Sequence, residues 1–110
     1  MNDLNFLIMK RGKGKSTALI YTSATTGIPI VTYTKKHCGY ITEKAIEYGV
    51  KIPTPVTVEE VRNGNLSGTG ITELLIDDAE DIIADALRKY LGRNVVAVTL
   101  TDKKQRFIRG

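Results

Sequence analysis

Phe6 to Tyr21 read Phe-Leu-Ile-Met-Lys-Arg-Gly-Lys-Gly-Lys-Ser-Thr-Ala-Leu-Ile-Tyr, and the fold turns on how these residues divide. Leu4–Ile8 is short, apolar and bounded by polar residues, the pattern of a strand buried in a parallel sheet. Gly12 and Gly14 then break the chain into a basic loop. Residues 14–25 continue at helical spacing until Gly27, with Pro29 just beyond. A strand, a glycine loop and a helix in succession predict the first crossover of an α/β protein.

The same alternation continues downstream. Pro29–Tyr33 reads as a second buried strand. Thr34 is a suitable N-cap, and Cys38, Ile41, Ala45 and Tyr48 recur at helical spacing until Gly49. Pro53 and Pro55 argue against regular structure where they stand. Thr57-Val-Glu-Glu60 spells a capping box and predicts a helical turn or two ending at Asn63-Gly64. After a loop over 64–70, Glu73–Asp77 is a third strand that ends in acid. Ile82, Ile83, Ala86, Leu87, Tyr90 and Leu91 form one apolar helical face closed by Gly92. Asn94–Leu100 is a β-branched fourth strand. Right-handed crossovers then predict a three-layer α/β sandwich around a mostly parallel, four-stranded sheet. Residues 1–100 make one domain, followed by a basic, frayed tail over 101–110.

Composition narrows the function classes. With 110 residues, 42% hydrophobic and 25% charged, the chain has the make-up of an ordinary globular domain. No apolar stretch approaches the roughly 18–20 residues of a membrane span, and the N-terminus lacks signal-peptide organisation. Cys38 is the single cysteine, and with His37 as its only obvious companion it reads as a reduced thiol of a cytoplasmic protein. The net charge of +4 is unevenly spread, with basic clusters at Lys10, Arg11, Lys13 and Lys15, at Lys35 and Lys36, and in the tail. Polyphosphate or nucleic acid accounts for such a distribution.

Met9 to Thr17 fit the phosphate-loop pattern G-x-x-x-x-G-K-[ST] except at its first position, where Met9 stands for glycine. In such a loop Gly12, Lys13 and Gly14 present backbone N–H groups to phosphate oxygens, and the helix end adds a favourable dipole. Lys15 reaches the β- and γ-phosphates, Ser16 ligates Mg²⁺ through its hydroxyl, and Thr17 reaches the α-phosphate. Leu74-Leu-Ile-Asp77-Asp78 delivers two carboxylates at the carboxyl end of a strand, where ligands of open α/β sheets sit. Asp77 is placed to hold the magnesium, directly or through water. Asp78 takes the position from which a carboxylate orients the attacking water. Both acids also suit the cap of the helix that follows.

These segments resemble the P-loop NTPases, with Walker A in residues 9–17 and Walker B in residues 74–78. More narrowly, Ile30-Val-Thr-Tyr-Thr-Lys35 resembles the segment after the second strand of superfamily-one helicases, which meets single-stranded DNA. Ile76-Asp77-Asp78-Ala79-Glu80 resembles their second motif, and Val95–Thr101 falls where their third-motif strand lies. The chain is also similar to small P-loop proteins of bacteriophages and Firmicutes. The resemblance implies a minimal P-loop core that binds ATP and Mg²⁺, in the cytoplasm of a bacterial or phage-infected cell, in DNA metabolism. It departs from the helicases at Asp78, where they carry Glu, and in having no second lobe to supply an arginine finger.

Two readings follow. In the first, the domain binds nucleotide and hydrolyses it weakly, or only with an arginine supplied in trans by a protein partner or another copy of the chain. In the second, a helicase-like module without enzymatic activity binds single-stranded nucleic acid or inhibits a partner protein. Tyr48 belongs to its helix stripe and so to the core, whereas Tyr33 or Tyr40 is free to stack on a base.

Overall fold

The computed structural model describes residues 14–99. The expected strand Leu4–Ile8, Met9, Gly12, Lys13 and the tail 101–110 lie outside them. Among the described residues the order is α1 (Lys15–Thr26), β1 (Ile30–Thr32), α2 (Lys35–Tyr48), β2 (Val56–Thr57), α3 (Val58–Arg62), β3 (Leu75–Ile76) and α4 (Ala79–Leu91).

Helix α1 begins at Gly14, whose φ of 86° lies in the left-handed region that favours glycine. Three threonines that would weaken a helix by propensity instead bond back along it: Thr22 to the Ala18 carbonyl, Thr25 to Tyr21 and Thr26 to Thr22. The fully buried Ser23 donates to the Ile28 carbonyl at 2.6 Å and so fixes the turn into β1. Helix α2 opens where Thr34 Oγ1 accepts from the His37 N–H at 3.1 Å and closes at Gly49. Its buried residues are Cys38, Ile41 and Ala45, three members of the stripe read from the sequence.

Strand β1 is central, in the order β2-β1-β3, and both pairings are parallel. All three of its residues are buried. Ile30 joins Leu19 and Ile20 of α1 and Ile41 and Ala45 of α2 in one cluster, with Leu75 and Tyr48 packed against it.

The expectation of a four-stranded sandwich is corrected: the described residues hold a three-stranded, all-parallel sheet and four helices. Residues 94–99 carry no strand, and Val96 and Val98 are exposed. β-branched residues favour a strand only where a neighbour takes their backbone groups and covers their side chains, and among the described residues no strand pairs with this segment. Conversely, Val56–Thr57 is a strand although prolines precede it. Pro55 stands outside the ladder, where its missing N–H is not needed, and among the described residues β2 pairs only with β1. Helix α4 closes at Gly92 as expected, but none of its residues is buried. Its apolar face is therefore not the covering layer that the periodicity implied.

The capping box on α3 is complete. Glu60 N–H donates to Thr57 Oγ1 at 3.1 Å, and Glu60 Oε1 accepts from Thr57 N–H at 2.9 Å. Lys35 Nζ adds an ion pair to Glu60 Oε2 at 3.0 Å. The Thr57 N–H and then the Lys35 ammonium hold the Glu60 carboxyl below its ordinary value of 4.5. A depressed carboxyl contributes stability above its unfolded value and loses it as the pH falls through its folded value. Urea unfolding across this acidic window should therefore show a loss of stability that Glu60→Gln reduces. An unchanged pH profile in the variant would remove Glu60 as a source of it.

Candidate functional site

The site forms where the carboxyl ends of β1 and β3 face the N-terminus of α1. Strand β1 sits between one neighbour reached through α2 and another reached by crossing to the far side. This is the kind of reversal at which open α/β sheets form a crevice. Asp77 follows β3 directly, and its N–H donates to the Val31 carbonyl at 3.1 Å, extending the ladder by one bond. Its side chain is 1% exposed, so a carboxyl group is buried at the end of the sheet.

Burial of this kind requires hydrogen-bond partners. Ser16, in the first turn of α1, donates its hydroxyl to Asp77 Oδ2 at 2.8 Å. His37, in the first turn of α2, places Nε2 2.7 Å from the same oxygen. A carboxylate only accepts, so the ring proton sits on Nε2. Three chain segments thus meet on one oxygen atom.

Asp78 turns the chain from β3 into α4 with φ 57°, the only non-glycine residue in the left-handed region among the described residues. A side chain there costs about 1–2 kcal/mol relative to a right-handed conformation, and such outliers collect at functional sites. Its Oδ1 lies 3.5 Å from Lys15 Nζ. Interaction with the Glu80 side chain is the main cause that holds the Asp78 carboxyl below the usual range; burial opposes it, and Lys15 and then His37 lower it further. Its side chain is half exposed, so solvent screens these contacts.

Lys15, Ser16, His37, Asp78, Glu80 and Asp81 line a cleft of about 470 Å³. A neighbouring hollow of about 350 Å³ lies along Tyr33, Lys35, Thr57, Glu59, Glu60 and Asn63, and the Lys35–Glu60 ion pair spans two of its walls. Of the residues singled out in the sequence, Gly14, Lys15, Ser16, Asp77 and Asp78 are brought together. Thr17 is turned elsewhere: its Oγ1 is 2.9 Å from the Tyr48 hydroxyl, and Tyr48 stacks on Tyr21 at 5.7 Å. Cys38 is buried, its thiol 3.1 Å from Thr32 Oγ1, and it does not line the cleft.

His37 is the site residue that sequence reasoning set aside, because it and Cys38 showed no partners elsewhere in the chain. Its partner, Asp77, lies 40 residues away, directly after β3. The usable signal was position: a first-turn residue of a helix leaving the carboxyl end of a strand faces the same edge as an acid ending the adjacent strand. Tyr40 stacks on the imidazole at 5.5 Å and further fixes its plane.

The donors exposed to the cleft are mainly oxygen atoms, from Ser16 and the carboxylates. Among the described residues no group of three or more His, Cys, Asp and Glu side chains is arranged to hold a metal ion. No helix among them is long and apolar enough to cross a membrane. No family model matches the chain, and no curated protein or solved structure matches it.

Proposed function

We propose that this protein binds a nucleoside triphosphate, ATP in the first instance, together with Mg²⁺. The observation that carries the reading is the 2.8 Å hydrogen bond from Ser16 Oγ to the buried Asp77, made between the start of a glycine-preceded helix and the end of a strand. Lys15 stands beside it as the cation for phosphate oxygens, and the helix N-terminus adds a favourable dipole. The donor set suits magnesium, a hard cation that takes few protein ligands and keeps water and phosphate oxygens for the rest. The Ser16 hydroxyl can keep donating to Asp77 while its lone pairs face the ion. When bound, the ion neutralises phosphate charge.

The charge balance of the cleft makes binding depend on metal. Among the described residues, Asp77, Asp78, Glu80 and Asp81 face or adjoin it, against the single ammonium of Lys15. A polyphosphate without a cation meets carboxylates, whereas a divalent ion between the two groups converts repulsion into attraction. Hydrolysis is weak or partner-dependent in this reading, with Asp78 orienting water. The proposed setting is the cytoplasm of a bacterial or phage-infected cell.

Calorimetric titration with ATP, ADP and GTP, each with and without Mg²⁺, tests the proposal. The expected result is saturable heat for a nucleoside triphosphate with Mg²⁺ and at least tenfold weaker binding without it. Absence of binding at millimolar nucleotide with Mg²⁺ would overturn the reading.

A further inference from the structure

We infer that His37 is a positioning residue for the Asp77 carboxylate, and that its Nε2–H sets the affinity of the site for the divalent ion; this rests on the nucleotide–Mg²⁺ reading above. The carboxylate is 1% exposed, so water does not orient it. Ser16 and His37 both reach Oδ2, at 2.8 and 2.7 Å. Of these two, only His37 is free of a second duty in the proposed site, since Ser16 Oγ must also face the metal. The imidazole is fixed independently of any ligand: Thr34 Oγ1 caps its backbone N–H at 3.1 Å, and Tyr40 stacks on its ring at 5.5 Å. A rigid donor of this kind holds the carboxylate in one rotamer before the ion arrives.

Outer partners that orient a metal-binding group are typically worth about 10–100-fold in metal affinity. Two substitutions separate the donor from the ring. His37→Phe keeps an aromatic ring against Tyr40 and removes the N–H. His37→Gln removes the ring and can place an amide N–H near the position of Nε2. The measurement is the Mg²⁺ concentration that gives half of the ATP-induced rise in melting temperature, for wild type and both variants, with a parallel series in Mn²⁺. Urea midpoints without ligand show whether each variant is folded.

The expected result is a requirement for Mg²⁺ and for Mn²⁺ raised about 10–100-fold by His37→Phe and only a few-fold by His37→Gln. If His37→Phe behaves as wild type and His37→Gln does not, the ring rather than the donor matters, and the inference fails. If both variants match wild type, it fails as well. A loss confined to Mn²⁺ also overturns it, because a nitrogen ligand held directly on the ion favours the softer metal. In these three cases wild type still responds and the nucleotide reading stands. If wild type itself gives no metal-dependent rise, that reading falls and takes the inference with it.

Discussion

Lys15→Ala is expected to abolish the rise in melting temperature that ATP with Mg²⁺ gives the wild-type protein, while leaving the ligand-free melting temperature nearly unchanged. Lys15 opens α1, its side chain is 30% exposed, and its ion pair with Asp78 is long at 3.5 Å. An exposed pair of this kind is worth about 0–1 kcal/mol, and alanine is at least as good a helix former as lysine. The loss in the free protein is therefore small. Ligand present at a hundred times its dissociation constant stabilises the native state by about 2.7 kcal/mol, which for a domain of this size is a rise of roughly 10–20 °C. Among the described residues that line the cleft, Lys15 is the one lysine or arginine. Thermal denaturation of both proteins over an ATP series at fixed Mg²⁺ checks this. A full rise in Lys15→Ala would show that phosphate is not held where we propose.

The largest effect on stability is expected at Ile41. This residue is 0% exposed and packs in the cluster of Leu19, Ile20, Ile30 and Ala45 that joins both helices to β1. Removing its outer carbons loses their transfer free energy and leaves a cavity, together about 2–5 kcal/mol. A domain of this size has only about 5–15 kcal/mol in total, so Ile41→Ala should move the urea midpoint substantially. Ile46, on the same helix but 73% exposed, supplies the comparison. The same substitution there should change stability by less than about 0.5 kcal/mol. Equal losses at the two positions would contradict the packing described. In the proposed site the effect extends to His37, which lies one turn before Ile41 on the same helix face. The contact that seats the helix also seats the imidazole.

Local signals were strong where a residue type had one dominant physical use. Thr34 and Gly49 bound α2 as read, the Thr57–Glu60 box is formed, and Gly27 and Gly92 end their helices. Ser16 and Asp77 could be paired in advance because each type of residue, in its context, points to the same ligand. Val95–Val98 misled because strand propensity is conditional on a partner strand, and sequence spacing does not supply one. Val56–Thr57 was hidden for the opposite reason: two prolines nearby outweighed a pairing with β1 that needs only two residues. The apolar stripe of α4 is real in the sequence, yet an amphipathic pattern states which face is apolar and not what covers it. His37 was invisible because its role depends on strand order, a property of the whole fold.

The all-parallel pairing of β1 with β2 and with β3 carries a kinetic consequence. The described sheet contains no hairpin, so each pair of neighbouring strands is joined only after an intervening stretch has been looped out, and β1–β3 encloses the longer stretch. Ser16 and Asp77, 61 residues apart, become neighbours only when that larger loop is closed. Without β3 in place, β1, α2 and β2 would leave the imidazole with no carboxylate to receive it. The cluster of Ser16, His37 and Asp77 is therefore complete only once β3 has joined β1, and a fragment that omits either end of the loop lacks it.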